Sequence, residues 1–167
     1  KDRPDWLVDR LAAWPKEDAR TVWIIRHALR TLIKKGDPRA LAIIGAGHGA
    51  TVAVRHFSIV PQAVRLGDAI EINAEIFSES LEDQRLVVDY RVHYARTAGK
   101  TAAKVFKFKT FDLAAGTTAA LKIRQAIRDF STRRHYPGRH DVELIVNGRA
   151  KARQAFEIVS APVEEAL

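Results

Sequence analysis

The stretch from Arg128 to His140 is dense in hydrogen-bond donors: Arg128, Ser131, Thr132, Arg133, Arg134, His135, Tyr136, Arg139 and His140. Guanidinium groups fork onto phosphate oxygens, and hydroxyl and backbone N–H groups add neutral contacts, so such a loop suits a nucleic-acid backbone. Two further runs carry cations at alternate positions. Lys107 and Lys109 interleave with Phe106 and Phe108, and Arg149, Lys151 and Arg153 follow Asn147-Gly148. Alternate strand positions lie about 7 Å apart, near the spacing of successive phosphates along one nucleic-acid strand. Nearer the N-terminus, Arg26, Arg30, Lys34 and Lys35 form either a solvated helix face or a phosphate rail. Each cation taken singly has a plainer reading, because lysines on an edge strand block pairing between sheets. Adjacent arginines in a loop that has little need of them for folding do not, and Arg133 with Arg134 is the leading candidate for contact.

Catalytic chemistry has no foothold of this kind. The chain holds no cysteine, which removes disulfides, thiol nucleophiles and thiolate metal sites. Its six histidines (His27, His48, His56, His93, His135 and His140) form neither His-x₃-His nor His-Glu-x-x-His spacing. His135 and His140 flank a turn without a carboxylate cluster and read as structural or surface residues, not as metal ligands. Gly45-Ala46-Gly47-His48-Gly49 lacks the following Lys-Ser/Thr of a phosphate loop and reads as a linker. No catalytic residue can be named, and neither a metal nor a small-molecule cofactor is expected.

Charge points the same way as the donor loop. The net charge is +8, and residues 96–155 alone hold 14 basic against 4 acidic side chains. Concentrated positive charge attracts polyanions, nucleic acid first and anionic membrane surface second. No apolar run approaches the length of a membrane span, and the charged segment from Lys1 to Asp9 opens no secretory signal. The absence of methionine makes Lys1-Asp2-Arg3 read as the cut edge of a longer chain.

Two periodicities divide the 167 residues. Residues 1–49 read as helices and a Gly-rich linker, with a helical apolar period up to about residue 45: Trp6, Leu7, Leu11 and Trp14, then Val22, Ile25, Leu29, Leu32 and Ile33. Pro15 marks a break and suits the start of the next element, Gly36 suits a helix C-terminus, and Asp37-Pro38 suits the start of a short third helix. The helical spacing assigns Trp6, Trp14 and Trp23 to core packing. These few helices leave a broad apolar face that an α-solenoid would cover with further repeats. From residue 50 to 160 the period is two. About seven strands are expected near 51–60, 69–77, 84–95, 103–111, 117–125, 140–147 and 149–159, and Asn147-Gly148 is a hairpin signal. Leu86, Val88, Tyr90, Val92 and Tyr94 should face inward, and Arg85, Asp89, Arg91 and His93 outward. The fold class expected is α+β by segment: short HEAT-like helices, an antiparallel immunoglobulin-like sandwich, and an acidic tail over 161–167.

Several strings occur in one order along the chain: Arg26-His27-Ala28-Leu29-Arg30-Thr31-Leu32-Ile33-Lys34-Lys35-Gly36-Asp37-Pro38, Leu86-Val87-Val88-Asp89-Tyr90, Lys104-Val105-Phe106-Lys107-Phe108-Lys109, Thr132-Arg133-Arg134-His135-Tyr136-Pro137-Gly138-Arg139-His140 and Val146-Asn147-Gly148. Together they resemble the C-terminal part of bacterial DNA alkylation repair proteins, in the branch of AlkC-type alkylpurine DNA glycosylases of the HEAT-like repeat superfamily. The resemblance implies a HEAT-like solenoid followed by an immunoglobulin-like domain, together gripping duplex DNA that contains alkylated bases such as 3-methyladenine. It also implies a cytoplasmic location and catalytic carboxylates in repeats upstream, which have no counterpart positions here. DNA contacts would then come from Arg133, Arg134, Arg139, Lys107, Lys109, Arg149, Lys151, Arg30, Lys34 and Lys35. Two alternatives stay open: an interaction module on a repeat scaffold that binds protein and not nucleic acid, and a surface or periplasmic adhesion module.

Overall fold

The computed structural model describes residues 3–47, 49–96, 101–129 and 134–160. Arg133, with Ser131 and Thr132 of the donor loop, lies outside them, as do His48, Lys100 and the acidic tail.

Local chemistry sets the helix limits. The first helix, α1 (Pro4–Ala12), starts on a proline whose missing N–H costs a helix nothing at that position. The second, α2 (Ala19–Lys35), starts four residues after Pro15, because Asp18 caps it by accepting from the Thr21 amide at 2.9 Å and hydroxyl at 3.0 Å. Gly36 ends it in the left-handed conformation. Asp37 accepts from the Arg39 and Ala40 amides at 3.0 Å and caps α3 (Pro38–Ile43). Val8, Leu11, Ile25, Leu29, Ala40 and Ile43 form the small core between the helices, and Asp5 pairs with Arg39 across it.

The tryptophans are not in that core. Trp6, Trp14 and Trp23 are 57%, 43% and 64% exposed, which corrects the packing role expected from their spacing. The buried stripe of α1 runs through Val8 and Leu11 and that of α2 through Ile25 and Leu29, so the rings project to one side of it.

The remaining chain forms two sheets. One has the order β1 (Val52–Val60), β3 (Ala69–Ser78), β6 (Thr118–Ala126). The other has the order β2 (Ala63–Arg65), β8 (Arg149–Val159), β7 (Gly138–Val146), β4 (Gln84–Ala95), β5 (Thr101–Leu113). The seven expected strands are present with ends shifted by a few residues. The eighth, β2, is three residues long, too short to show a period, and it pairs parallel with β8 in an otherwise antiparallel fold. The chain crosses between sheets at the cis Val60–Pro61 bond.

The alternation reads as expected on β4, whose Leu86, Val88, Tyr90, Val92 and Tyr94 are buried with Ile70, Ile72 and Ile76 of the facing sheet. The Tyr90 hydroxyl donates to Gln125 Oε1 at 2.6 Å and ties the two sheets; burial pushes its ionisation up to about 12. Outer-face residues Val87 and Asp89 are also buried, because α2 and α3 lie over them. Leu41, Ala46 and Val87 make an apolar contact there, flanked by Ile33 and Ile44.

The β7–β8 turn fixes this junction. Asn147 is 1% exposed, with φ 45°. Its amide N–H donates to the Val87 carbonyl at 2.9 Å, and its side-chain Oδ1 accepts from the Val87 N–H at 2.7 Å. Its Nδ2 donates to the carbonyls of Gly47 at 2.9 Å and Arg85 at 3.1 Å. The next residue, Gly148, meets Gly36 backbone to backbone: a β-carbon on Gly148 would lie 2.5 Å from Gly36 Cα. Both glycines have positive φ.

Gly148→Ala should therefore cost about 3 kcal/mol or more, from left-handed strain plus forced separation of α2 from the hairpin. Gly116 has φ 66° and nothing within 4 Å of its would-be β-carbon, so Gly116→Ala should cost only about 1 kcal/mol. Equal losses in urea unfolding would show that the contact with Gly36 carries no weight.

Candidate nucleic-acid interface

Among the expected cations, Arg139 is answered by an acid. On the outer face of β7 and β8, Arg139 donates to Asp141 Oδ1 through Nε at 3.2 Å and Nη2 at 3.1 Å, and Arg153 donates to Asp141 Oδ2 at 3.0 Å. Burial would raise the Asp141 carboxyl, but the bonds from Arg153 and Arg139 hold it below the usual range. Beside it, Glu143 pairs with Arg91 at 2.9 Å and His93 at 3.1 Å. This face of the basic block is thus a paired network, and Arg139 has its charge partly spent within the fold.

Bulges alter the spacing expected on the edge strands. Lys107 pairs in register with Asp89 and Lys109 with Val88, leaving Phe108 as the extra residue. The two lysines are therefore not consecutive rungs of one face. Lys107 shares the side covered by α2, whereas Lys109 Nζ lies 5.5 Å from the Phe111 ring centre. Lys151 falls at a second bulge, where register passes from Leu144–Ala152 to Ile145–Ala150. Arg149 opens β8 with its guanidinium beside Gly49. Arg134 is exposed ahead of β7, and Lys35 is exposed in the last turn of α2.

His135 and His140 are buried and structural. His140 Nδ1 accepts from the Ala95 amide at 3.2 Å, its Nε2 lies 2.9 Å from the Tyr136 carbonyl, and the ring stacks on Phe156. Burial lowers its ionisation and keeps it neutral. The His135 amide donates to Asp129 Oδ1 at 2.7 Å, closing the base of the donor loop.

The cations brought together across elements are Arg26, Arg30 and Lys34, one helical turn apart on α2, and Lys107 on β5. They wall a cleft of about 120 Å³ with Ile33, Ile44, Val87 and Thr110, and Asp89 lies within it. Asp89 is 5% exposed, and burial pushes its carboxyl up to about 6 against the opposing pull of Lys34 and Lys107. Lys34 Nζ also donates to the Val105 carbonyl at 3.3 Å, spanning from α2 to β5. Sequence reading marked Asp89 only as an outward strand residue. Its partners are 55 positions earlier and 18 later, with no local signal to join them.

The sign of the pH effect follows. A carboxyl whose folded value lies above its unfolded 3.8 binds an extra proton in the folded state between about pH 3.8 and 6. Stability is gained on acidification through that window and lost as pH rises through it. Asp89→Asn should be more stable than the parent by about 3 kcal/mol at pH 7.5, with the gap closing near pH 4. Chemical denaturation at the two pH values measures this, and a pH-independent gap would contradict it.

Comparison with known proteins agrees with this architecture. A solved structure of the alkylpurine DNA glycosylase AlkC from Pseudomonas fluorescens, bound to DNA containing an abasic site analog, superposes with a TM-score of 0.91. It is 43% identical and covers 95% of this chain and 44% of its own. The protein YhaZ of Bacillus subtilis (strain 168) is 30% identical over 158 residues, 95% of this chain and 44% of the relative. This chain thus spans less than half the length of either. A β-glucosidase from Listeria innocua, 13% identical with a TM-score of 0.51 over 64% of this chain, shares the sandwich fold alone. The family model described as "Uncharacterised protein YhaZ, C-terminal Ig-like domain" matches residues 53–160. With its helices, two-sheet sandwich and basic junction, the chain belongs to the YhaZ C-terminal Ig-like domain family.

Proposed function

We propose that this chain is the DNA-contacting C-terminal part of a DNA alkylation repair glycosylase acting in the cytoplasm on duplex DNA with alkylated purines such as 3-methyladenine. In this reading residues 1–49 end a HEAT-like solenoid, residues 50–160 are the sandwich that contacts the duplex backbone, and 161–167 are a tail. The catalytic carboxylates lie in the preceding repeats. The observation that carries it is the match to AlkC in its DNA complex across nearly this whole chain. The chemistry agrees, since residues 96–155 carry an excess of ten positive charges, the electrostatic footprint of a backbone binder. The contacts are assigned to Arg133, Arg134, Arg30, Lys34, Lys35, Lys107, Lys109, Arg149 and Lys151. Arg139 reaches a phosphate by exchanging one of its bonds to Asp141.

Fluorescence anisotropy of a labelled duplex against salt concentration tests this. The chain should bind at low salt with little sequence preference, and log K should fall linearly with log salt. Arg133→Ala combined with Arg134→Ala should weaken binding to every duplex and flatten the slope by about one unit per lost phosphate contact. An unchanged slope would remove that pair from the interface. No duplex binding at low salt would overturn the reading in favour of a protein-interaction module.

A further inference from the structure

Surface cations without partners are ordinary, but the cleft between α2 and the sandwich gathers several around one space. Several cations elsewhere are answered by acids: Arg39 by Asp5, Arg85 by Asp112, Arg91 by Glu143, Lys122 by Glu71, and Arg139 and Arg153 by Asp141. Among the described residues no carboxylate oxygen comes within 4.0 Å of Arg26, Arg30, Lys34 or Lys107. Arg26 Nε is buried without a hydrogen-bond acceptor. A buried donor left unpaired and cations of like sign held across a narrow space both cost free energy. An anion seated between α2 and β5 would relieve both. The space of about 120 Å³ is several times the ~30 Å³ share of a water molecule, which leaves room for one tetrahedral oxyanion.

We infer that this cleft is a phosphate site, with Arg26, Arg30, Lys34 and Lys107 as its donors and Asp89 as a built-in counter-charge that must be neutralised when phosphate enters. In naming where a backbone phosphate seats, the inference rests on the DNA reading. The chemistry is common to a DNA phosphodiester and to free phosphate.

The groups facing Asp89 are few. From α2 they are Arg26, Arg30 and Lys34; from β5, Lys107 and the uncharged Thr110; from α3 and its C-terminus, Ile44. Across β7 its register partner is Ile145. On its own strand the nearest charge is Arg91, already paired with Glu143. Asp89 is therefore the group in the cleft that titrates near neutrality. Its carboxyl, already raised by burial, is raised further by an incoming phosphate, so binding takes up a proton and affinity rises as pH falls.

The test measures duplex affinity of the whole chain at pH 7.5 and 5.5 at one ionic strength, for the parent, Asp89→Asn and the double variant Arg30→Ala with Lys107→Ala. A phosphodiester does not titrate in this range, and asparagine keeps the shape of Asp89 without its charge. The parent should bind about three- to tenfold more tightly at pH 5.5. Asp89→Asn should bind at pH 7.5 nearly as tightly as the parent does at pH 5.5, with the pH effect removed; the double variant should lose both affinity and pH effect. A second arm adds millimolar inorganic phosphate at pH 6 and follows backbone amide shifts. Shifts at Arg30, Lys34 and Lys107 in the parent, absent from the double variant and without duplex binding, would support the site with free phosphate as its source while the DNA reading fails. Duplex binding that is unchanged in the double variant, with no phosphate shifts, would overturn the site and leave the DNA reading intact. A parental pH effect that persists in Asp89→Asn would also overturn it.

Discussion

The arrangement of this molecule depends on one buried carboxamide. Asn147 sits at the tip of the β7–β8 hairpin, where a left-handed residue is required, and its side chain replaces a missing strand partner for Val87 while holding Gly47 and Arg85. Each of its polar groups is used, and burial makes each bond expensive to lose. With the carboxamide so held, Gly148 can only continue past the end of α2, and the absence of a side chain at Gly36 lets the two backbones touch. The helices are thereby set on the outer face of β4 at a fixed height. A cleft with α2 as one wall and β5 as the other exists because of that contact.

The distribution of charge acquires meaning only with this geometry. By sequence, the positive block over 96–155 looks like a single surface. In the fold, among the described residues, Arg139 and Arg153 are engaged by Asp141 and Glu143 and Lys122 by Glu71, whereas Lys107 has no acid within 4.0 Å. Lys107 gathers with Arg26, Arg30 and Lys34 of α2, which belongs to the other end of the chain. Net charge along the sequence is therefore a guide to partner class, and pairing across strands decides which cations remain available.

What could be read in advance followed from local rules. Apolar alternation on β4 predicts its buried face residue by residue, because a one-step slip would turn Tyr90 and Val92 to solvent. Asp37-Pro38 and Gly36 mark helix ends through backbone chemistry that does not depend on distant residues. The departures have non-local causes. A bulge at Phe108 separates Lys107 from Lys109, and nothing in their alternating spacing reveals it. The strand β2 is defined by its partner β8. Trp6 and Trp23 have helical spacing but lie beside the buried stripe. Arg26 and Asp89 become neighbours only when the hairpin holds the helices down, so their association could not be read from either segment.

The contact at Asn147-Gly148 makes α2 and the sandwich one cooperative unit. Native-state hydrogen exchange measures this, comparing the amides of Leu29 and Ile33 in α2 with those of Val87 and Asn147 at the junction across increasing denaturant. All four should converge on one opening free energy, the signature of a shared cooperative unit. If the α2 amides exchange through a separate, lower-energy opening while Val87 and Asn147 stay protected, the helices are not locked to the sandwich, and the cleft between them has no fixed shape.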